Sequence, residues 1–329
     1  MRLATLPRYP LTSIPTPLLR AWNLEAALGD GCPRLYLKRD DLTGLAFGGN
    51  KARKLEYLVA DARATGATIL VTEGAAQSNH ARMTAAAAAI AGIKALLVLD
   101  ARNGDEVAGN LLLDHLLGAE VHVVPDKQAR VAAMERIEDE LRAAGERPYA
   151  IPTGGSVPLG AVGYAAMVAE LLAQLMIVGE TPAWFYHATS SMGTQAGLLV
   201  GARAFSAPFA IRGVAVEHPV EDLVATGVAL ANATAELVEL DATFGESDVS
   251  IEGGFVGAGY GVPTPEGMAA IRLLARTEGV ILDPVYGAKA MAALIADVRS
   301  GVLDPSGSVV FLHTGGGPSV FPFGTALLG

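Results

Sequence analysis

The sequence predicts an α/β protein in which parallel sheets are covered by helices. Short apolar runs alternate with longer segments of helical periodicity along almost the whole chain, and this alternation is typical of α/β folds. The apolar runs are continuous rather than alternating with polar residues, as in strands that are buried on both faces. At 329 residues the chain is long enough for about two domains.

The individual elements follow from the apolar runs and the helical periodicity. Gly66, Gly92 and Gly118 stand where three helices should end, because glycine adopts the left-handed conformation of a helix C-terminus without steric cost. The segment Ile151–Gly163, rich in glycine and proline, is either a crossing between domains or a catalytic loop. Strands are predicted at Leu35–Leu37, Thr68–Thr72, Ala95–Leu99, Val121–Val124, Trp184–Ala188, Ile211–Val216 and Val309–His313. Helices are predicted at Arg53–Ala64, Ala81–Ala91, Asn110–Leu117, Ala129–Ala144, Tyr164–Gln174, Gln195–Phe205 and Ala288–Val298.

Composition excludes several classes of protein. The formal net charge of -10 argues against nucleic-acid binding, which needs clustered positive charge. Cys32 is the single cysteine, and the six histidines include no H-x-x-x-H pair, so no disulfide framework and no metal site are predicted. The most apolar stretch, Ala85–Leu99, is interrupted by Gly92 and Lys94 and is read as a helix, a turn and a strand rather than a membrane span. Because Met1–Pro10 lacks the apolar core of a secretory signal, we expect a cytoplasmic protein.

One lysine stands in an unusual sequence context. Lys51 follows Gly48 and Gly49 at the predicted mouth of a helix, and glycines, which lack Cβ atoms, allow a flat ring to approach the backbone. A lysine amine in a desolvated site can fall below its usual pKa of about 10.4 and act as a nucleophile. Lys51 is therefore a candidate for covalent attachment of a cofactor. The alternative is that Lys51, Arg53 and Lys54 form a solvated first turn.

A polar segment, Gln77, Ser78, Asn79 and His80, lies between the strand Thr68–Thr72 and an alanine-rich helix. The carboxyl end of a parallel strand is where α/β sheets bind ligands. Unpaired N–H groups and the positive end of the helix dipole at this place suit a carboxylate. The alternative is that Ser78 or Asn79 simply caps the helix.

A second candidate anion-binding turn is Ser190-Ser191-Met192-Gly193-Thr194. It follows the strand Trp184–Ala188 and opens the next helix, so its hydroxyl and N–H groups suit a phosphate. It is neither a P-loop nor a dinucleotide fingerprint, because both glycine spacings are absent. The alternative is an ordinary strand–helix turn.

Three further side chains could face a ligand. Thr314 follows a buried strand and precedes three glycines, so its hydroxyl could face a cofactor ring, whereas the neighbouring His313 is expected to be packed or hydrogen-bonded. Tyr260 and Tyr286 lie in glycine-rich surroundings, where a phenol either bonds to a partner or moves a proton. A nucleophilic lysine, a carboxylate site, a phosphate site and a ring-facing hydroxyl together suit pyridoxal phosphate with an amino-acid substrate.

The chain resembles the D-cysteine desulfhydrase and 1-aminocyclopropane-1-carboxylate deaminase family of fold-type II pyridoxal-phosphate enzymes. The resemblance implies a tryptophan-synthase-β-like fold with two open twisted sheets covered by helices, and a homodimer. It also implies a large cofactor-binding domain, residues 1–50 and 162–329, and a small domain, residues 51–161. The matching segments occur in family order at Leu37–Asp41, Gly48–Leu55, Gln77–His80, Ala188–Leu198, Asp283–Tyr286 and His313–Gly316.

The resemblance also implies roles for the cofactor-binding residues. Lys51 would bind pyridoxal 5'-phosphate covalently and then move the Cα proton of the substrate. Asn79 would hydrogen-bond the phenolic oxygen, and the segment from Ser190 to Thr194 would hold the phosphate. Thr314 would bond to the pyridine nitrogen, and a neutral hydroxyl there leaves the ring a weaker electron acceptor, which favours β-elimination.

The implied substrate is a small amino acid. Ser78, with Gln77 and the backbone amides through His80, would hold its carboxylate. Tyr260 and Tyr286 would flank it, and together with Lys51 and Ser78 they are the predicted catalytic residues.

Departures from the family pattern bear on the substrate. The ring-opening deaminases resemble one another in a glutamate at the position of Gly287 and a leucine at that of Thr314, so this chain is expected to eliminate rather than to open a ring. D-Cysteine, giving pyruvate, ammonia and hydrogen sulfide, is the predicted substrate. Gly287 replaces a hydroxyl residue and is expected to leave room beside the leaving group, and Met192 stands where a small residue is more usual. The alternatives are ring-opening deamination, elimination from L-cysteate or another β-substituted alanine, and a non-catalytic small-molecule binding protein.

Overall fold

The computed structural model describes residues 1–101 and 107–328, and within them strands and helices alternate as the sequence predicts. The strands are β1 (Leu18–Arg20), β2 (Arg34–Arg39), β3 (Ile69–Ala75), β4 (Lys94–Asp100), β5 (Glu120–Val124), β6 (Pro148–Ile151), β7 (Trp184–Thr189), β8 (Ala210–Ala215), β9 (Ser250–Glu252) and β10 (Ser308–His313). The helices are α1 (Trp22–Leu28), α2 (Lys51–Ala64), α3 (Asn79–Ala91), α4 (Gly109–Leu116), α5 (Lys127–Ala143), α6 (Pro158–Val178), α7 (Gly193–Ala204), α8 (Val220–Leu237), α9 (Pro265–Glu278), α10 (Gly287–Arg299) and α11 (Gly324–Leu328).

The larger sheet combines both ends of the chain. Its strand order is β1-β2-β10-β7-β8-β9. The pairing of β1 with β2 is antiparallel, and the other pairings are parallel. The strand β10 thereby lies between β2 and β7, so residues after β10 lie near residues after β2.

The smaller sheet is built from the central part of the chain. Its order is β5-β4-β3-β6, and all of its pairings are parallel. The predicted fold class, α/β with two sheets covered by helices, is confirmed. The domain limits at residues 50 and 161 stay a prediction, because α2 and α6 pack against each other and α6 also packs against α7.

The segment Ile151–Gly163 is more ordered than its glycine content suggests. It contains the last residue of β6, a short turn, and the first turns of α6, which begins at Pro158 rather than at the predicted Tyr164. The glycines serve close helix packing, since a Cβ on Gly163 would lie 2.3 Å from the backbone oxygen of Arg53. The glycines at the start of α6 are therefore explained by its close packing against α2, which local helix propensity does not predict.

Helix α6 is long and apolar enough to cross a membrane by length and composition alone, with 21 residues and a mean hydropathy of 1.8. Half of its apolar window is buried inside the protein. Tyr164, Val168 and Leu171 lie in a core cluster shared with residues of α7. We therefore assign α6 as a core helix. The other apolar stretch, Ala85–Leu99, is a helix, a turn at Gly92 and a strand, as predicted.

A buried charge network anchors the first turn of α2. Arg53 donates to both carboxylate oxygens of Asp40 at 2.8 Å and to Glu170 of α6 at 2.9 Å. Tyr164 donates to Asp40 at 2.6 Å. Arg53 and Lys54 are buried, so the alternative of a solvated first turn is wrong for these two residues.

Replacing Arg53 by methionine should destabilise the protein by about 3–5 kcal/mol, because Asp40 would stay buried without its main counter-charge. Urea unfolding measures the change in the free energy of unfolding. The matched control is Arg203→Met, which removes an arginine whose partner Asp248 is also solvent-accessible and should cost about 0–1 kcal/mol. Equal losses of unfolding free energy in the two variants would contradict the assignment of Arg53 as the main counter-charge of buried Asp40.

Candidate active site

Residues from separate segments line one pocket beyond the carboxyl ends of strands in both sheets, where α/β folds place ligands. The sequence-predicted residues that line it are Lys51, Ser78, Asn79, His80, Ser190, Ser191, Met192, Gly193, Thr194, Tyr260, Tyr286 and Thr314. Gln77 is placed differently. Its side-chain nitrogen donates to the backbone oxygen of Ala108, and its side-chain oxygen accepts from the backbone of Asn110.

The two glycines before Lys51 bring separate backbone segments together. Gly49 forms a β-bridge with Gly315, and a Cβ on Gly49 would lie 3.1 Å from the backbone oxygen of Thr314. A Cβ on Gly48 would lie 2.0 Å from the backbone oxygen of Asp41. The glycines therefore let backbone approach backbone, and the approach of a cofactor ring stays a prediction. This approach brings the start of α2 beside the end of β10.

Lys51 is the first residue of α2 and its amine faces the pocket. Its Nζ lies 3.3 Å from Asn50 Oδ1. Burial lowers the pKa of Lys51 to about 8, and the carboxylate of Asp283 opposes part of that effect. A lysine with this pKa keeps a usable fraction of neutral, nucleophilic amine near neutral pH.

The β7–α7 turn forms an anion cradle with groups that sequence reasoning missed. Lys54 Nζ donates to Gly154 at 3.0 Å and to Ser156 Oγ at 3.3 Å. The backbone N–H of Gly193 donates to the same Ser156 oxygen at 3.2 Å. A Cβ on Gly193 would lie 2.5 Å from Ser156 Oγ and 2.6 Å from Lys54 Nζ, so glycine keeps the cradle open.

Two signals could have revealed the missed residues. Lys54 is three residues after Lys51 on the same helix, so the two amines lie on neighbouring turns of one face. Burial, reinforced by the charge of Lys51, lowers the pKa of Lys54 well below its usual value, and a bound anion would offset that cost. Ser156 lies in the glycine-rich segment that the sequence left open as a catalytic loop.

Other residues of the β7–α7 turn have further contacts. The hydroxyl of Ser191 lies 2.7 Å from Ser156 Oγ, whereas that of Ser190 donates to Glu217 at 2.9 Å. Met192 has a left-handed backbone with φ of 59°, and its side chain packs into the core. The unusual methionine thus contributes its backbone to the pocket wall and its side chain to the core.

Ser78 caps α3, as one of the two interpretations of the sequence predicts. The cap does not exclude the other interpretation, in which this turn binds the substrate carboxylate. Ser78 Oγ accepts from the backbone of Ala81 at 3.2 Å, while the remaining first N–H groups of the helix lack intrahelical partners. Burial lowers the pKa of His80 well below its usual value. The hydroxyl of Thr72 donates to Ile151 and therefore accepts from Nε2 of His80 at 2.9 Å, so the neutral ring carries its proton on Nε2.

The two tyrosines form a pair on the opposite wall. Their hydroxyls lie 2.8 Å apart, and their rings meet edge to face with centroids 5.9 Å apart. Burial, with a contribution from Tyr260, raises the pKa of Tyr286 well above its usual value. Lys289 of α10 donates to the backbone oxygens of Val256 and Gly259 at 2.7 and 3.0 Å, which holds the loop that carries Tyr260.

Asp283 organises the start of α10. Its carboxylate accepts from the backbone of Val285, Tyr286 and Gly287 at 3.0, 2.8 and 2.8 Å. A Cβ on Gly287 would lie 3.1 Å from Asp283 Oδ1 and 3.2 Å from Leu282 Cδ2. The position that a Cβ would occupy is thus against Asp283 and Leu282, and the effect of Gly287 on the room beside the leaving group stays a prediction.

The end of β10 carries Thr314, whose hydroxyl is predicted to face a cofactor ring. Thr314 is buried and lines the pocket, and its backbone oxygen accepts from Asn50 at 3.0 Å. His313 is hydrogen-bonded, as predicted. Its Nδ1 accepts from the backbone of Gly315 at 3.2 Å, so its Nε2 donates to Ile281 at 2.9 Å.

Comparison with known proteins identifies the class. The chain matches the family of pyridoxal-phosphate dependent enzymes over residues 10–315, and it belongs to that family. The D-cysteine desulfhydrases of Klebsiella pneumoniae (strain 342) and Salmonella typhi are 40% and 39% identical to it, over 98% of this chain and 97% of theirs. The crystal structure of an ACC deaminase homologue superposes with a TM-score of 0.90 at 36% identity, covering 99% of this chain and 97% of that one.

The predicted family, cofactor and enzyme class are therefore confirmed. The crystal structure of a threonine deaminase shares the fold, with a TM-score of 0.66 at 22% identity over 92% of each chain. The residues fit the cofactor, since a buried amine of lowered pKa and an anion cradle kept open by Gly193 share one pocket. Bound pyridoxal phosphate supplies an aldehyde for the lysine and a ring that accepts electrons from a broken Cα–H bond.

Lys51 should react as a base with a pKa of about 8. In competitive labelling of the apoprotein with acetic anhydride, modification of the Lys51 peptide should rise through about pH 8, because the neutral amine is the reactive form. Ordinary exposed lysines in the same digest should rise near pH 10.4, at about the reference value. If the pH midpoint for modification of Lys51 coincided with that of the exposed lysines, the amine of Lys51 would not lie in a desolvated site.

Proposed function

We propose that this enzyme catalyses β-elimination from D-cysteine. One water is consumed, and pyruvate, ammonia and hydrogen sulfide are released. The observation that carries the reaction class is Lys51, a buried amine of lowered pKa in the same pocket as the turn at Ser78 and the tyrosine pair. The end-to-end match to D-cysteine desulfhydrases at 40% identity supports the substrate.

Lys51 and the α3 turn would act on the Cα side of the substrate. The amine of Lys51 would bind the cofactor, be displaced by the substrate amine, and then remove the Cα proton. The backbone N–H groups at the start of α3 (Asn79–Ala91), with Ser78, would hold the substrate carboxylate. Holding the carboxylate orients the Cα–H bond toward Lys51.

The cofactor would be held at three points. The turn from Ser190 to Thr194, with Lys54 and Ser156, would bind its phosphate. Asn79 would bond to the phenolic oxygen and Thr314 to the pyridine nitrogen. A neutral hydroxyl at the pyridine nitrogen disfavours a long-lived carbanion, so expulsion of the β-substituent is the favoured outcome.

The tyrosine pair would assist the leaving group. Burial raises the pKa of Tyr286, so its hydroxyl stays protonated and can donate to the departing sulfur. Tyr260, bonded to it at 2.8 Å, would fix the direction of that donation. The sulfur would leave as hydrosulfide while both phenols keep their protons, and hydrosulfide becomes hydrogen sulfide by taking a proton from water.

The test measures pyruvate and sulfide released from D-cysteine, L-cysteine, D-serine, L-cysteate and β-chloro-D-alanine. D-Cysteine should give the highest kcat/KM, and Lys51→Ala should lower it on the order of 10³-fold, because the proton-transfer group is lost. The matched control Lys94→Ala removes an exposed lysine and should keep the wild-type rate. Elimination by Lys51→Ala at the wild-type rate would refute the mechanism.

The ring-opening alternative is favoured by one observation, the likeness to the ACC deaminase homologue. Release of 2-oxobutanoate from 1-aminocyclopropane-1-carboxylate, without pyruvate release from D-cysteine, would support it. Thr314 and Gly287 favour elimination, so no 2-oxobutanoate is expected. A purified protein that is colourless and not modified by borohydride would instead support a non-catalytic binding protein.

We also infer a homodimer from the family resemblance, and a cytoplasmic location from the lack of an apolar signal core in Met1–Pro10. One chain has a mass of 33.8 kDa. Sedimentation at assay concentrations should therefore give about twice that mass, and a single-chain mass would contradict the dimer.

A further inference from the structure

Asn110, the second residue of α4, forms a buried hydrogen-bond centre beside the pocket. Its Nδ2 lies 2.8 Å from the backbone oxygen of Gln77, 2.9 Å from Asn79 Oδ1 and 3.0 Å from Ser319 Oγ. Its Oδ1 accepts from Arg82 Nη1 at 3.3 Å. The sequence marked Asn110 only as the first residue of a helix.

The neighbours of Asn110 determine which end of its amide is nitrogen. The backbone oxygen of Gln77 can only accept, and the guanidinium of Arg82 can only donate. The reverse orientation would place acceptor against acceptor and donor against donor. The Asn79 atom that lies 2.9 Å from the Asn110 nitrogen must therefore be an oxygen.

The side chain of Asn79 is thereby held in one orientation. Ser319 Oγ, 3.4 Å from the same Asn79 Oδ1, adds a second donor. Within residues 1–101 and 107–328, no acceptor takes the Asn79 nitrogen, and Asn79 lines the pocket. We propose that Asn110 is a positioning residue that fixes Asn79 as a hydrogen-bond donor toward the phenolic oxygen of bound pyridoxal phosphate.

The same network reaches the other segments that face the cofactor. Arg82 Nη2 donates at 2.9 Å to the backbone oxygen of Gly48, three residues before Lys51. Ser319 lies in the turn Gly317–Phe323, which follows β10. One buried amide thus ties the loop before α3 to the segment before α2 and to the segment after β10.

The inference rests on the sites proposed above for Lys51 and Asn79, and its test needs no turnover and no D-cysteine. A donor at the phenolic oxygen stabilises negative charge there, so losing it raises the pH at which the visible absorption of the lysine-bound cofactor titrates. In holoenzyme carrying Asn110→Ala, this midpoint should rise by about one pH unit, the shift expected for one lost hydrogen bond.

Two comparisons separate positioning from a general loss of structure. Asn232 of α8 donates to the backbone oxygens of Val228 and Phe244 away from the pocket, so Asn232→Ala should leave the midpoint unchanged. Asn79→Ala should raise the midpoint by itself. Adding Asn110→Ala to Asn79→Ala should then produce no further shift, because the effect passes through Asn79.

An unmoved midpoint in Asn110→Ala holoenzyme would overturn the inference. A further shift in the Asn79→Ala background would overturn it as well, because Asn110 would then act directly. If Asn110→Ala does not fold, the shorter polar Asn110→Ser must show the same rise. A wild-type protein with no lysine-bound absorption would refute the Lys51 site itself, whereas normal absorption with an unmoved midpoint refutes only the role of Asn110.

Discussion

The close approach of two glycine-containing segments determines where the whole site forms. Gly49 pairs with Gly315, and this contact joins the start of α2 to the end of β10, although the two lie at opposite ends of the chain. The ion pairs of Arg53 with Asp40 and Glu170 then fix the first turn of α2 against α6. Lys51 thereby lies beyond the carboxyl end of β10 in the larger sheet, and its amine is directed into the pocket.

The two sheets contribute different chemistry around that amine. The larger sheet supplies the turn after β7, the hydroxyl after β10 and the tyrosine pair, while Ser156 of the anion cradle follows β6 of the smaller sheet. The smaller sheet supplies the helix N-terminus after β3 and the amide network of Asn110. A ligand with a phosphate, a ring and an amino-acid portion therefore needs both sheets, and neither alone presents a complete set of partners.

Long buried strands and the residues beside them could be predicted from the sequence, but short strands and tertiary partners could not. Strands such as β4 and β10 are continuous apolar runs, whereas β1 and β9 have three residues each, none of them fully buried. Lys51 and Thr314 lie near glycines, and this local context identifies them in the sequence as candidate site residues. Lys54 and Asn110 look like ordinary helix residues, because their roles come from side chains distant in sequence. The sequence shows Gly48 and Gly49, but the backbone contact of Gly49 with Gly315 joins residues too distant in sequence for a local pattern to predict.

Tyr260 and Tyr286 are both joined to α10, the first through hydrogen bonds of Lys289. Tyr286 immediately precedes α10. The loop that carries Tyr260 is held to the same helix by two hydrogen bonds that Lys289 donates to its backbone oxygens. A rotation of α10 therefore carries both phenols together and preserves the bond between them. Such a rotation would change the distance between the two phenols and Lys51.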